Sequence, residues 1–282
     1  MIQLIPSSPA IVEATLDFGE AANYARQSWP TIAGLSKTKQ FYWNGTRLHF
    51  LTESIHPQVT AAKRPKVMLL FSNPHPTSVE LGLFMSEPRS RGFWEILSNY
   101  IWPTGNHEFR WDPDGLEETV SILNKGNYEG PLLFFECLYQ IPSESPKDLT
   151  SLFDRDKDTF QKYLHIPGLE RICSVINSYD IKVVLVFTGE TYEAIVGKPG
   201  ISKGAREALH SCVQESNDET SFWECLDKSG LRNKARLSGL KSECIVIKIM
   251  DTRAKNWWRP VDGKSVFSNV LDFSLRYAGK VG

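Results

Sequence analysis

The chain has 282 residues, with 32 Lys and Arg against 33 Asp and Glu and a formal net charge of -1. That balance excludes the strongly basic surface of a protein that coats nucleic acid through net charge alone. A hydrophobic content of 41% with 11% aromatic residues fits a packed globule and not a disordered chain, and no apolar run approaches the roughly 20 residues that span a bilayer.

Residues 1–62 read as a peripheral lead-in. Ala10 to Trp29 has apolar residues at helical spacing, and Gln40 to Leu51 reads as a hairpin turning on Asn44-Gly45. Val67 to Phe71 is a short unbroken apolar run closed by Ser72-Asn73-Pro74-His75-Pro76. It predicts a strand buried on both faces that ends in a sharp turn, since closely spaced prolines continue neither a ladder nor a helix. A helix follows from Arg91 to about Trp102, then a stretch rich in Gly, Pro, Asp and Asn with a helical piece near Leu116 to Leu123. Gly130 to Pro142 holds a second buried strand, Pro167 to Tyr179 an amphipathic helix, and Asp180 to Gly189 a third strand with a helix directly after it. Residues 198–242 are more polar and read as an insertion. Cys244 to Met250 is a fourth strand, and a helix over Phe267 to Tyr277 closes the order. Strands alternating with helices predict one α/β domain, a three-layer α/β/α sandwich around a central, mainly parallel four-stranded sheet.

The five cysteines, Cys137, Cys173, Cys212, Cys225 and Cys244, are scattered and form no Cys-x-x-Cys pair. Buried free thiols are expected, with no metal site. Met1 to Pro6 lacks the basic n-region of a leader, and a cytoplasmic protein, away from membranes, is expected.

In an open α/β sheet, ligands bind beyond the carboxyl ends of the strands. Those ends carry Asn73 and His75, then Glu136, then Thr188 and Gly189, then Asp251, Thr252 and Arg253. Taken singly, each has a plain structural explanation: Asn-Pro is turn chemistry, and a Glu inside an apolar strand can pair with a buried base. Taken together they outline a cleft.

The order of these elements resembles the uracil-DNA glycosylase superfamily, with its mismatch-specific and single-strand-selective branches the most similar. The first motif, Ser72-Asn73-Pro74, is followed by Arg91-Gly92-Phe93-Trp94. Glu136 stands where the family carries a base-reading Asn, Val183 to Ala194 is similar to the family's third strand and helix, and Met250-Asp251-Thr252-Arg253-Ala254 occupies the place of the last motif. The resemblance spans roughly residues 63–277. It implies hydrolysis of the N-glycosidic bond of a base flipped out of duplex or single-stranded DNA, by a monomer without a cofactor. Asn73, with Asp251 and Thr252, is the implied catalytic set. Pro74, His75, Phe84, Met85 and Glu136 are the implied base contacts, with Phe84 or Met85 stacking on the base. Arg89, Ser90, Arg91, Arg253, Lys255, Asn256 and Trp257 are the implied DNA contacts.

The chemistry is consistent with that set. An amide orients a water beneath C1′ but is a poor general base, so Asn73 works by positioning. An ionised Glu136 only accepts hydrogen bonds, which suits an exocyclic amine and predicts a cytosine-like, modified base over uracil; the alternative is a Glu136 tied to a neighbouring basic residue. The family's usual histidine in the last motif is replaced by Asp251 or Thr252. Ten basic residues between Lys228 and Lys264 face only Glu243, Asp251 and Asp262 in that window, a local positive field beside the last strand end. Two rival readings remain. One is a non-catalytic nucleic-acid- or nucleotide-binding module on the same fold. The other is a nucleic-acid methyltransferase, which the Asn-Pro-His-Pro sequence echoes but which lacks a Gly-rich cofactor loop upstream.

Overall fold

The computed structural model describes residues 8–28, 41–58, 63–85, 91–101, 112–128, 131–145, 156–216, 218–249 and 264–281, with a few isolated positions between them. Its centre is a five-stranded sheet formed by β4 (Lys66–Phe71), β5 (Leu132–Cys137), β6 (Val183–Val186), β7 (Arg232–Lys234) and β8 (Ile245–Lys248), in the order β5-β4-β6-β8-β7. The first four strands in that order run parallel, and β7 pairs antiparallel with β8. The sheet thus has one strand more than the four expected. Arg232–Lys234 is too short and too polar to carry a strand signal of its own, and pairing with β8 creates it.

Parallel strands buried on both faces require apolar residues at every position, and β4 to β6 supply them. Val67, Leu69 and Phe71 join one cluster with Phe93, Trp94 and Leu97 of α3 (Arg91–Ile101) and with Val120 and Leu123 of α4 (Pro113–Lys125). The same cluster takes residues from α8 (Ala205–Glu215), α9 (Glu219–Lys228) and α10 (Val266–Val281). Met68 and Leu70 face the opposite way. They pack with Ile172 and Ile176 of α6 (Ile166–Tyr179), which follows the short α5 (Lys157–Phe160), and with Tyr192, Ile195 and Val196 of α7 (Gly189–Val196).

The N-terminal segment differs from the sequence expectation. Ile11–Asp17 is a strand, β1, and only Ala22–Ser28 is helical, α1. Seven consecutive pairs with β3 (Arg47–Glu53) hold β1 extended, so tertiary pairing overrides an apolar spacing that also fits a helix. The hairpin of β2 (Phe41–Asn44) and β3 forms, but Asn44 pairs with Arg47, so the loop residues are Gly45 and Thr46. Gly45 takes φ +60, a left-handed value that costs glycine nothing. Ala14, Phe18, Leu48 and Phe50 of this region enter the Met68 cluster. Ile55 adds an antiparallel bridge to Phe135 on the outer edge of β5.

Residues 198–242 hold α8, α9 and β7. Cys212 and Cys225 form a disulfide across a separation of 13 residues, which corrects the expectation of five free thiols. Helices α8 and α9 fold back on each other and bring the two Cα atoms to 5.4 Å, within bridging range. Cys137, Cys173 and Cys244 are buried free thiols. Among the described residues no helix is long and apolar enough to cross a membrane, and no cluster of side chains suits a metal ion.

Candidate functional site

The chain leaves β4, adds β5 on one side, and returns to add β6 on the other. The order therefore reverses beside β4, and the crevice between the carboxyl ends of β4 and β6 is where ligands bind in such sheets. Ser72, Asn73, Phe187 and Thr188 stand there. Phe187 N–H closes the two strands by donating to Leu70 O at 3.1 Å.

Asn73 is half-buried, and its amide is held in one orientation. Nδ2 donates to Ser143 O at 2.7 Å, to Ser143 Oγ at 2.9 Å and to Pro74 O at 3.1 Å. Two of these three are carbonyls that only accept, so the NH2 must face them and the flipped amide is excluded. Ser143 is fully buried; its N–H donates to Pro74 O at 3.0 Å and its hydroxyl to Ser145 O at 3.0 Å. The two strand-end loops thus clamp the amide, and Oδ1 has no protein partner among the described residues. An amide carbonyl presented this way is a fixed acceptor for a water or a substrate N–H or O–H. Ser143 was not predicted. Its only sequence signal is its place in the polar loop after the second strand.

His75 takes a structural role. It is the N-cap of α2 (Pro76–Leu81), a short helix where the sequence predicts only a turn, and its Nδ1 accepts from Thr77 N–H at 3.3 Å. Pro74 is buried and supplies the carbonyl that binds Ser143.

Phe84 is 1% exposed, with its ring 5.6 Å from Phe71 and 5.5 Å from Phe135. It fills the core above the sheet and is not placed to stack on a base, which corrects the expectation for this residue. The cause is the density of aromatic rings around it: Phe71 also stacks on Phe187 at 4.4 Å and meets Phe93 at 6.1 Å. Met85 is partly buried against this cluster with φ +54, a left-handed backbone that a side chain disfavours.

Glu136 is 2% exposed and pairs in register with Leu70, on the face covered by α6. Its carboxylate accepts from Arg171 Nη1 of α6, from His56 Nε2 at 2.7 Å and from Ser54 Oγ at 3.0 Å. Burial opposes its ionisation, but the Arg171 charge and the His56 hydrogen bond outweigh it and hold the carboxyl below its usual range. Glu136 is therefore a buried ion-pair partner and not a free acceptor for a base, and the preference for a cytosine-like base loses its basis in this residue. Arg171 also donates to Cys137 O, so it ties α6 to the end of β5.

The positive field is smaller than the sequence window suggests. Arg232 is paired with Asp227 at 2.7 Å and lies over the rings of Trp223 and Tyr277. Lys234 pairs with Glu243, and Lys228 lies 3.8 Å from Glu224. Lys248 is buried, 6% exposed, and donates to Phe187 O at 3.0 Å and to Ile249 O. The opposing carboxylates of Glu224 and Asp227 come from the helix just before the window. Lys248 thus ties the ends of β6 and β8 together through their backbone carbonyls.

Arg91 starts α3, and nothing is described of its side chain. Arg89, Ser90, Asp251, Thr252, Arg253, Lys255, Asn256 and Trp257 lie outside the described residues.

Three further groups at the strand ends escaped the sequence reading: the Ser72 hydroxyl, the Tyr139–His165 pair and Glu190 in the first turn of α7. No protein-family model matches the chain, and no curated protein is similar to it.

Proposed function

We propose that this chain is a hydrolase that cleaves the N-glycosidic bond of a base swung out of DNA, as its resemblance to the uracil-DNA glycosylase superfamily implies. The fold is then a three-layer α/β/α sandwich, and the working molecule is a cytoplasmic monomer that needs no cofactor. The observation that carries this reading is the clamped amide of Asn73 at the reversal of strand order. With Nδ2 engaged by Ser143, Oδ1 is the free end. It accepts a hydrogen bond from a water and aims the water's lone pair at C1′ as the sugar takes on oxocarbenium character. Proximity and orientation are the contribution; the amide removes no proton itself.

A base inside duplex DNA is out of reach, so the target is extruded at a cost of a few kcal/mol. Asp251 and Thr252 complete the proposed catalytic set, and Arg89, Ser90, Arg91, Arg253, Lys255, Asn256 and Trp257 the DNA contacts.

A second reading is a binding module on the same fold. It is favoured by the loss of two base contacts, Phe84 to the core and Glu136 to its ion pair. One experiment separates the two. Oligonucleotides carrying uracil, 5-hydroxymethylcytosine or other altered bases are incubated with the wild type and with Asn73→Ala, and abasic sites are revealed by alkaline cleavage. Excision by the wild type that falls at least a hundredfold in Asn73→Ala, with DNA binding retained, supports the hydrolase. Binding without excision on every substrate leaves the module.

A further inference from the structure

A second opening lies away from the Asn73 clamp, between α1 and the tip of the β2–β3 hairpin. It is a groove of about 720 Å³, lined by Glu20, Asn23 and Arg26 from the turn into α1 and from α1 itself, and by Trp43, Gly45 and Thr46 from the hairpin. That volume falls within the roughly 300–1,000 Å³ of small-ligand sites. The two walls are tied together. Phe18 N–H donates to Thr46 O at 3.0 Å, and Asp17 Oδ1 accepts from Gly19 N–H at 3.0 Å and from the Thr46 hydroxyl at 2.7 Å. The groove is therefore preformed, and a ligand bears little ordering cost on entering it.

Trp43 is half-buried, with its ring 5.6 Å from that of Phe18. Arg26 lies over the indole, its guanidinium carbon 5.0 Å from the ring centroid, and Nη2 donates to Gly45 O at 2.6 Å. The guanidinium is thus pinned at two points in a residue that stays exposed. A planar cation held on an aromatic ring is a platform on which an unpaired base stacks. It attracts a π face, and it gains nothing comparable from the C–H face of a sugar. Among the described lining residues, Arg26 and Glu20 are the charged ones. One cation against one anion gives no net attraction for phosphate. Glu20 accepts, and the Asn23 amide both donates and accepts, which suits a neutral ring that carries both kinds of group at its edge.

The groove stands at the same end of the molecule as Asn73. β3 runs antiparallel beside β5: Ile55 bridges Phe135, and the Thr52 hydroxyl donates to Gln140 O at 2.6 Å. Followed backwards, β3 carries the hairpin tip beyond the carboxyl end of β5, about 20 Å past Gln140 at about 3.3 Å per residue. The ring of Phe18 meets that of Tyr163 at 6.2 Å, in the turn just before α6, which begins at that end of the sheet. We infer that the groove holds an unpaired base of a single DNA strand, stacked on the Arg26–Trp43 platform, a few nucleotides from the base that Asn73 faces. The inference rests on the base-excision reading for its choice of DNA, and it adds a contact to the strand that takes no part in the chemistry.

The test is fluorescence anisotropy on the full chain with two labelled single strands, a thymidine oligonucleotide and an abasic strand of the same length and charge. The wild type is expected to bind the base-bearing strand about tenfold more tightly, the scale of stacking one base. Arg26→Ala and Arg26→Lys, both at an exposed position, are each expected to remove that preference, the lysine because it keeps the charge without the flat face. Equal binding of the two strands by the wild type, binding of neither, or a preference that survives in either variant overturns the inference. Failure of the hydrolase reading looks different. A wild type that excises no base but shows the Arg26-dependent preference leaves the inference standing. A wild type that excises a base, with Arg26→Ala binding both strands as the wild type does, overturns the inference and leaves the hydrolase intact.

Discussion

The carboxylate of Glu136 on β5 and the guanidinium of Arg171 on α6 form an ion pair sealed on the carboxylate side, with Glu136 2% exposed and His56 completing the set at 2.7 Å. A buried charge that loses its partners is strongly destabilising. The pair joins a strand, a helix and the segment after β3, so its removal acts on the fold before it acts on any ligand.

Arg171→Met is expected to lower stability by about 3–5 kcal/mol, the cost of leaving a buried charge without its main partner. The wild type carries a matching pH signature. The Glu136 carboxyl lies below its ordinary value of 4.5 in the folded protein. Its contribution is therefore complete above pH 4.5 and is lost as the pH falls through the folded value. Urea unfolding at pH 7 and at pH 4 checks both points: the wild type weakens toward pH 4, and Glu136→Gln flattens this part of the profile. A Glu136→Gln protein with an unchanged pH dependence would show that the ion pair contributes nothing.

Asn73→Asp keeps the size of the side chain and reverses its chemistry. The position now occupied by Nδ2 lies 2.7 Å from one carbonyl and 3.1 Å from another, and a carboxylate oxygen there meets two acceptors. The expected outcome is a carboxyl pKa raised above the ordinary range, or a side chain turned out of the clamp, at a cost of about 1–3 kcal/mol at neutral pH. Ser143→Ala removes one of the three acceptors and leaves the backbone carbonyl, so a loss of about 1 kcal/mol is expected. Chemical denaturation of both variants at pH 7 gives the order, with Asn73→Asp the less stable.

The four parallel strands were legible because each is buried on both faces, and continuous apolar runs such as Val67 to Phe71 and Val183 to Val186 have few other uses. Asn73 was legible for a related reason, because a strand that stops at a proline turn exposes its next side chain at the sheet edge. What was not legible came from residues far apart in the chain. Glu136 finds its partners 80 and 35 positions away, in His56 and Arg171, and no local pattern announces either. Ser143 meets Asn73 across 70 positions. Phe84 stands between the proline turn and the next helix and reads as a base-stacking aromatic until Phe71, Phe93 and Phe135 are seen around it. Ile11 to Asp17 misled because a spacing of apolar residues that fits a helix also fits a strand paired along its whole length.

The disulfide between Cys212 and Cys225 closes a short loop, its ends 13 positions apart. Constraining a loop of this size in the unfolded chain is worth about 3 kcal/mol on the chain-entropy account. Beyond the bridge, α9 is held to α10 by Phe222 stacked on Phe273 at 4.5 Å and by Trp223 beside Tyr277 at 5.3 Å. Reduction is therefore expected to lower stability by about 2–4 kcal/mol without unfolding α8 and α9. Thermal melts with and without dithiothreitol measure the loss, and Cys225→Ser should melt at the reduced temperature in both buffers. A wild-type melt indifferent to reductant would show that the bridge does not form.

Gly168 couples helix packing to the Tyr139–His165 pair at the start of α6. A methyl group there would sit 2.5 Å from the carbonyl oxygen of Leu138, a backbone atom that cannot rotate away, so Gly168→Ala must push the helix off the end of β5. Overpacking of this kind costs about 1–3 kcal/mol. The helix carries His165 with it, and the 3.0 Å contact with the Tyr139 hydroxyl is lost. The freed imidazole is better solvated, and its pKa should rise toward the ordinary 6.5 from the lowered value that burial imposes. Proton NMR titration of the histidine ring in the wild type and in Gly168→Ala reads that shift directly. An unshifted His165 in a destabilised Gly168→Ala protein would mean that helix position and the Tyr139–His165 pair are independent.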